Sequence, residues 1–165
     1  MSTILLLLPL ALVLIAFQST VMSRLSVGGV QPDLIIVSII LLTIISGRTS
    51  AIIFAVVLAL LSDAISGLPL GVSIIPYLVV VFLAIGGERT LFGARLGWPI
   101  LVTAVATVAV GLITLIELNV IGWEIQWTDI LLRVLGPAVI VNSILMFLLY
   151  VPVEYARGRR KRSFE

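Results

Sequence analysis

The sequence predicts an all-α, polytopic membrane helix bundle of about six transmembrane helices, on three observations. Hydrophobic residues make up 61% and charged residues 11% of the 165 residues, against about 45–50% and about 25% in an average soluble domain. A chain this short could not hide so much apolar side chain in water, because small domains keep a large share of their surface exposed. The apolar residues also fall in continuous runs approaching the ~20 residues a helix needs to cross hydrocarbon, without the alternation of membrane strands. Finally, the basic residues collect on one of the two sides that those runs define.

The first run, 3–22, lacks a basic leader and is too long an apolar stretch for a signal peptide, so it is expected to remain as a span. The second, 34–46, has 13 residues. That length gives only about 20 Å of helix against a hydrocarbon core of about 30 Å. Gln31, Pro32 and Gly47 must help, or the bilayer thins, or the segment stops short, which leaves five crossings as an alternative. Further runs cover 49–65, 70–85, 98–116 and 130–151, separated by Gly, Pro and charge. Residues 1–156 therefore read as one integral membrane domain, and 157–165 as a basic cytoplasmic tail.

With six crossings both ends share one side. It carries Arg48, Arg89, Arg95 and the tail residues Arg157, Arg159, Arg160, Lys161 and Arg162. The other side holds Arg24, with Arg133 a few residues into the last span. This positive-inside bias places both termini in the cytoplasm. Trp98, Tyr150 and Tyr155 fall near inner boundaries, and Trp123 and Trp127 near an outer one, as an aromatic belt requires. The tail is expected to fix topology and to meet anionic lipid, at roughly 1 kcal/mol per basic residue. Nucleic acid is not an expected partner for so short a patch against the membrane.

No Cys and no His occur, which excludes thiolate sites and the commonest general base and metal ligand. Nor is there a phosphate-cradling Gly-rich loop. No cofactor, metal or catalytic residue is therefore expected. Ala51, Ala55, Ala59, Asp63, Gly67 and Gly71 recur every four residues, a small-residue stripe on which another helix can pack closely. It serves either packing inside this subunit or a partner. Asp63 is expensive near lipid and should face protein or water, through structural pairing, for instance with Arg24, or through contact with a partner or ligand. Asp33 follows Pro32 and opens an apolar run, so it reads as an N-cap. Residues 33 and 63 each lie 15 positions from Arg48. If Arg48 marks the turn of an antiparallel hairpin, both carboxylates reach the outer side and could share a polar site. Pro137 should bend the last span, and Asn142 should bond a neighbouring helix. Trp123, Ile125 and Trp127 alternate with Glu124 and Gln126, giving a half-buried segment for lipid anchoring or for a periplasmic partner.

The stretch from Pro32 to Gly71 resembles the bacterial rod shape-determining protein MreD family. Pro32-Asp33-Leu34 resembles that family's Pro-Asp-Leu motif. Ala55-Val56-Val57-Leu58-Ala59-Leu60-Leu61-Ser62-Asp63 resembles its Gly-Phe-x-x-Gly-Leu-x-x-Asp segment, followed by Gly67, Leu70 and Gly71. Ala55 and Ala59 stand where glycines are usual, and Val56 replaces an aromatic. The resemblance implies an inner-membrane subunit of the cell-elongation complex that binds the bitopic protein MreC. MreB filaments, the glycosyltransferase RodA and its partner transpeptidase would lie nearby. It also implies a six-helix fold similar to the substrate-binding subunits of energy-coupling factor transporters.

Three functions are thus weighed. A non-enzymatic scaffold supporting cell shape and peptidoglycan synthesis would use Asp33, Ala55, Ala59, Asp63, Gly67, Gly71, Trp123 and Trp127 at its partner interface. A small-molecule-binding transporter subunit would line an outward pocket with Asp33 and Asp63, but lacks the varied polar groups that orient a ligand. An intramembrane aspartyl enzyme would share a proton between the two carboxylates, yet the Asn- and Gly-containing segments around the aspartates of lipoprotein signal peptidase are missing. The scaffold is the expected reading.

Overall fold

The computed structural model describes residues 2–25, 29–88 and 97–162. Arg89 and Arg95, and the side chains of Arg157, Arg159, Arg160, Lys161 and Arg162, lie outside the described part. The helices are α1 (Ser2–Thr20), α2 (Leu34–Ser46), α3 (Arg48–Ser66), α4 (Ile74–Glu88), α5 (Gly97–Val120), α6 (Trp127–Ile130) and α7 (Gly136–Arg162). A π-helical turn, Leu131–Leu135, splices α6 to α7. The fold is an all-α membrane bundle. Arg48–Ser66, Gly97–Val120 and the composite Trp127–Tyr155 are long and apolar enough to cross a bilayer alone, while Leu7–Thr20, Leu34–Ser46 and Ile74–Gly86 are shorter.

α2 is the axis of the bundle. Ile35, Ile36, Val37, Ile39, Ile40 and Thr43 are all buried, an arc of about 200° at 100° per residue, wider than the apolar stripe of an ordinary surface helix. It contacts α1, α3, α4, α5 and α7. Around it the packed neighbours run α1 to α3, α3 to α4, α4 to α5 and α5 to α7. Among the described residues α1 and α7 make no comparable contact, so the ring stays open along that seam. Phe54, Leu58, Val80, Val81 and Met146 fill the space between ring and axis.

One residue turns the chain from α2 to α3. Gly47 has φ +80° and donates its N–H to the Thr43 carbonyl at 3.1 Å, a left-handed conformation that a side chain would oppose. Arg48 follows, and its guanidinium lies 5.8 Å from the Phe82 ring centroid of α4, within cation–π range. The expected hairpin about Arg48 is therefore present, and it brings Asp33 and Asp63 to the same end of the bundle.

Two boundaries differ from expectation. The fourth apolar run starts at residue 70, but α4 begins at Ile74 because Asp63 bonds the backbone of the preceding turn. The sixth begins earlier, at Trp127. Pro137 has no N–H and its ring crowds the carbonyl four residues back. Just before it the Gly136 N–H bonds the Leu131 carbonyl, widening the helix by one residue. Close by, α5 meets this turn at Gly111, where an added Cβ would lie 2.3 Å from Leu135 Cδ1. Gly111→Ala is expected to cost about 1 kcal/mol, because the clash is with the end of a flexible side chain. Leu135→Ala in the same protein should remove the clash, which a double-mutant cycle of detergent unfolding checks.

Candidate functional site

At the end of the bundle away from Arg48, polar side chains satisfy one helix terminus after another. Helix N-termini leave backbone N–H groups unpaired, and in lipid no water is at hand to pair them. The start of α2 meets this need from three directions. Asp33 Oδ1 accepts from Ile35 N at 2.9 Å and Ile36 N at 3.1 Å, the expected N-cap. Gln18 of α1 accepts from Leu34 N at 2.9 Å through Oε1 and donates to the Pro32 carbonyl at 3.0 Å through Nε2. Asn142 of α7 accepts from Asp33 N at 2.7 Å and donates to Thr107 Oγ1 of α5 at 3.1 Å. Thr107 and Thr103 pass their own hydroxyl protons to carbonyls one turn back. Asn142 thus ties α2, α5 and α7 together, the interhelical bond expected of it.

Asp63 does the same for α4. Its Oδ2 accepts from Gly71 N at 2.8 Å and Ser73 N at 3.2 Å, and its Oδ1 accepts from the Ser73 hydroxyl. The carboxylate belongs to the last turn of α3 yet lies against the first turn of α4, where the helix dipole favours negative charge. Gly71 supplies φ +102° and Gly67 φ +72° for this turn. Both glycines are explained by backbone geometry.

The structure places the partner-interface candidates in three groups. Ala51, Ala55, Ala59 and Asp63 have 0% exposure and touch only this chain's own helices. Ala55, Ala59 and Asp63 are thus buried in the subunit's own packing, on the side of the stripe that faces its neighbouring helices. Asp63 does not pair with Arg24, which is exposed. Asp33 and Asp63 serve different helix starts and share no bond. Gly67 is exposed and Gly71 half-buried in the turn. Trp123 and Trp127 are exposed at the rim, beside an exposed Arg133–Asp129 ion pair of 3.4 Å. Gln18, Thr107 and Ser73, which sequence reading did not single out, are the residues that complete these networks.

Outside the networks lies the open seam. A groove of about 450 Å³ is lined by Arg24, Leu25, Pro32, Val141, Ile144, Leu145 and Leu148. Ile144 is 55% and Leu148 61% exposed. Among the described residues no three Asp, Glu, His or Cys side chains gather as a metal site. Chemically, the arrangement positions helices, and the carboxylate oxygens of Asp63 are all engaged in doing so.

The family model described as rod shape-determining protein MreD matches residues 1–156. No curated protein and no solved structure matches the chain.

Proposed function

The chain belongs to the MreD family of rod shape-determining membrane proteins, and from that premise we propose that it is the non-enzymatic inner-membrane scaffold that receives the membrane helix of MreC. Both termini lie in the cytoplasm, and the bundle couples MreC to the peptidoglycan-synthesising elongation complex, including RodA, its transpeptidase and MreB filaments. The observation that carries this reading is the seam between α1 and α7, where the ring around α2 is left open. A second helix laid along Val141, Ile144, Leu145 and Leu148 would complete the ring and gain the close van der Waals contact that drives helix association in lipid. Trp123 and Trp127 hold the rim at interface depth beside an MreC segment leaving the membrane. Gly67 and Gly71 shape the turn between α3 and α4.

Ile144→Trp combined with Leu148→Trp tests the proposal, since both side chains face outward and the bundle should fold as before. Recovery of MreC from native membranes, quantified by mass spectrometry, is expected to fall about tenfold, equivalent to about 1.4 kcal/mol. Val105→Trp, on a lipid-facing part of α5, should leave recovery unchanged. Unchanged recovery in the double variant would remove the seam from the interface, and recovery of ATPase subunits instead would point to transport.

A further inference from the structure

A cavity of about 340 Å³ lies between the start of α2, α5 and the π-helical turn. We propose that it is a binding site for a ligand that presents a primary ammonium group on a short alkyl link. Its size falls within the range of about 300–1,000 Å³ typical of small-ligand pockets, and at about 30 Å³ per water it would otherwise need around ten molecules to fill. Val110, Val134, Leu135 and Ala138 make most of its wall apolar, a surface that gives such waters few partners. Asp33 is the charged residue in the lining.

The polar groups there are not equivalent. Asn142 spends its oxygen on Asp33 N and its nitrogen on Thr107, and the Thr107 hydroxyl proton goes to the Thr103 carbonyl. Asp33 uses Oδ1 for both of its cap bonds. Oδ2 has no part in the cap and is the acceptor left for an occupant. The two cap bonds and the α2 dipole offset part of the Asp33 charge, and a cation seated against Oδ2 among the apolar walls offsets the remainder. Ammonium with its three donors suits a single oxygen better than the planar guanidinium, which wants two. The π-helical turn helps to make the space, since Val134 and Leu135 belong to it. Such turns recur where a helix must open around a site.

The same chemistry has two sources, the headgroup of an amino-phospholipid or a free alkylamine. The experiment uses the full chain in nanodiscs of phosphatidylglycerol, with hexylammonium as probe and hexanol and hexanoate as controls. Hexylammonium should raise the thermal unfolding midpoint saturably, and the controls should not. Asp33→Asn keeps a good N-cap and should weaken the hexylammonium effect at least tenfold with little change in the midpoint without probe. Ala138→Phe fills the cavity with Asp33 intact and should abolish the effect, which keeps the test valid should the Asn variant fold poorly. Added phosphatidylethanolamine that competes with the probe identifies the lipid source, and absence of competition the free amine. Equal protection by hexanol, or full protection in either variant, would overturn the site.

Discussion

Asp63→Ala is expected to destabilise the bundle by about 3–5 kcal/mol, the largest effect of any single substitution considered. The carboxylate is fully buried and accepts from Gly71 N, Ser73 N and the Ser73 hydroxyl. Each hydrogen bond to a charged group contributes about 1.5–3 kcal/mol, and removing the acceptor leaves buried donors with no partner. Asp63→Asn retains one carbonyl acceptor and should cost about half as much. Unfolding in a titration of denaturing detergent, read by near-UV circular dichroism, distinguishes the two. Comparable midpoints for Ala, Asn and the parent would show that the α3–α4 turn does not depend on this carboxylate.

Asn142→Leu should cost about 2–4 kcal/mol by the same measurement. It preserves volume but withdraws the acceptor for Asp33 N and the donor to Thr107, a loss of two buried bonds that also leaves an α2 N–H exposed to an apolar surround. The two substitutions lie in separate networks, so their effects should add. Thr107→Val combined with Asn142→Leu should cost less than the sum of its parts, because the partner removed second is already unpaired.

Much of this arrangement is legible in the sequence because local rules fix it. The run 34–46 coincides with α2, since Asp33 caps it and Gly47 ends it. The equal spacing of residues 33 and 63 about Arg48 places both carboxylates at one end, because a one-residue turn at Gly47 forces an antiparallel hairpin. The role of the alanine stripe was not legible. Small residues invite close approach from any helix, and nothing in a four-residue repeat says whether the visitor belongs to the same chain. Gln18 and Thr107 are not legible in the sequence, because a lone polar residue in an apolar helix has no periodicity to betray its partner. The π-helical turn lies where Leu135 meets α5 at Gly111, a tertiary contact that no local pattern announces. The late start of α4 likewise follows from Asp63 reaching across ten residues to Ser73.

These findings separate two kinds of surface that a sequence alone merges. The interior, where Ala55, Ala59, Asp63 and Asn142 lie, holds the helices to one another. The exterior is where a partner can act, and among the described residues the ring around α2 is left open between α1 and α7.

The chain contains no cysteine, so single cysteines at Ile144, Leu148 and Val105, each labelled with a short photo-activated cross-linker in native membranes, test the central claim most directly. Adducts containing the MreC membrane helix from positions 144 and 148, and none from 105, are the predicted result. MreC adducts from position 105 alone, or from none of the three while MreC still co-purifies, would contradict it.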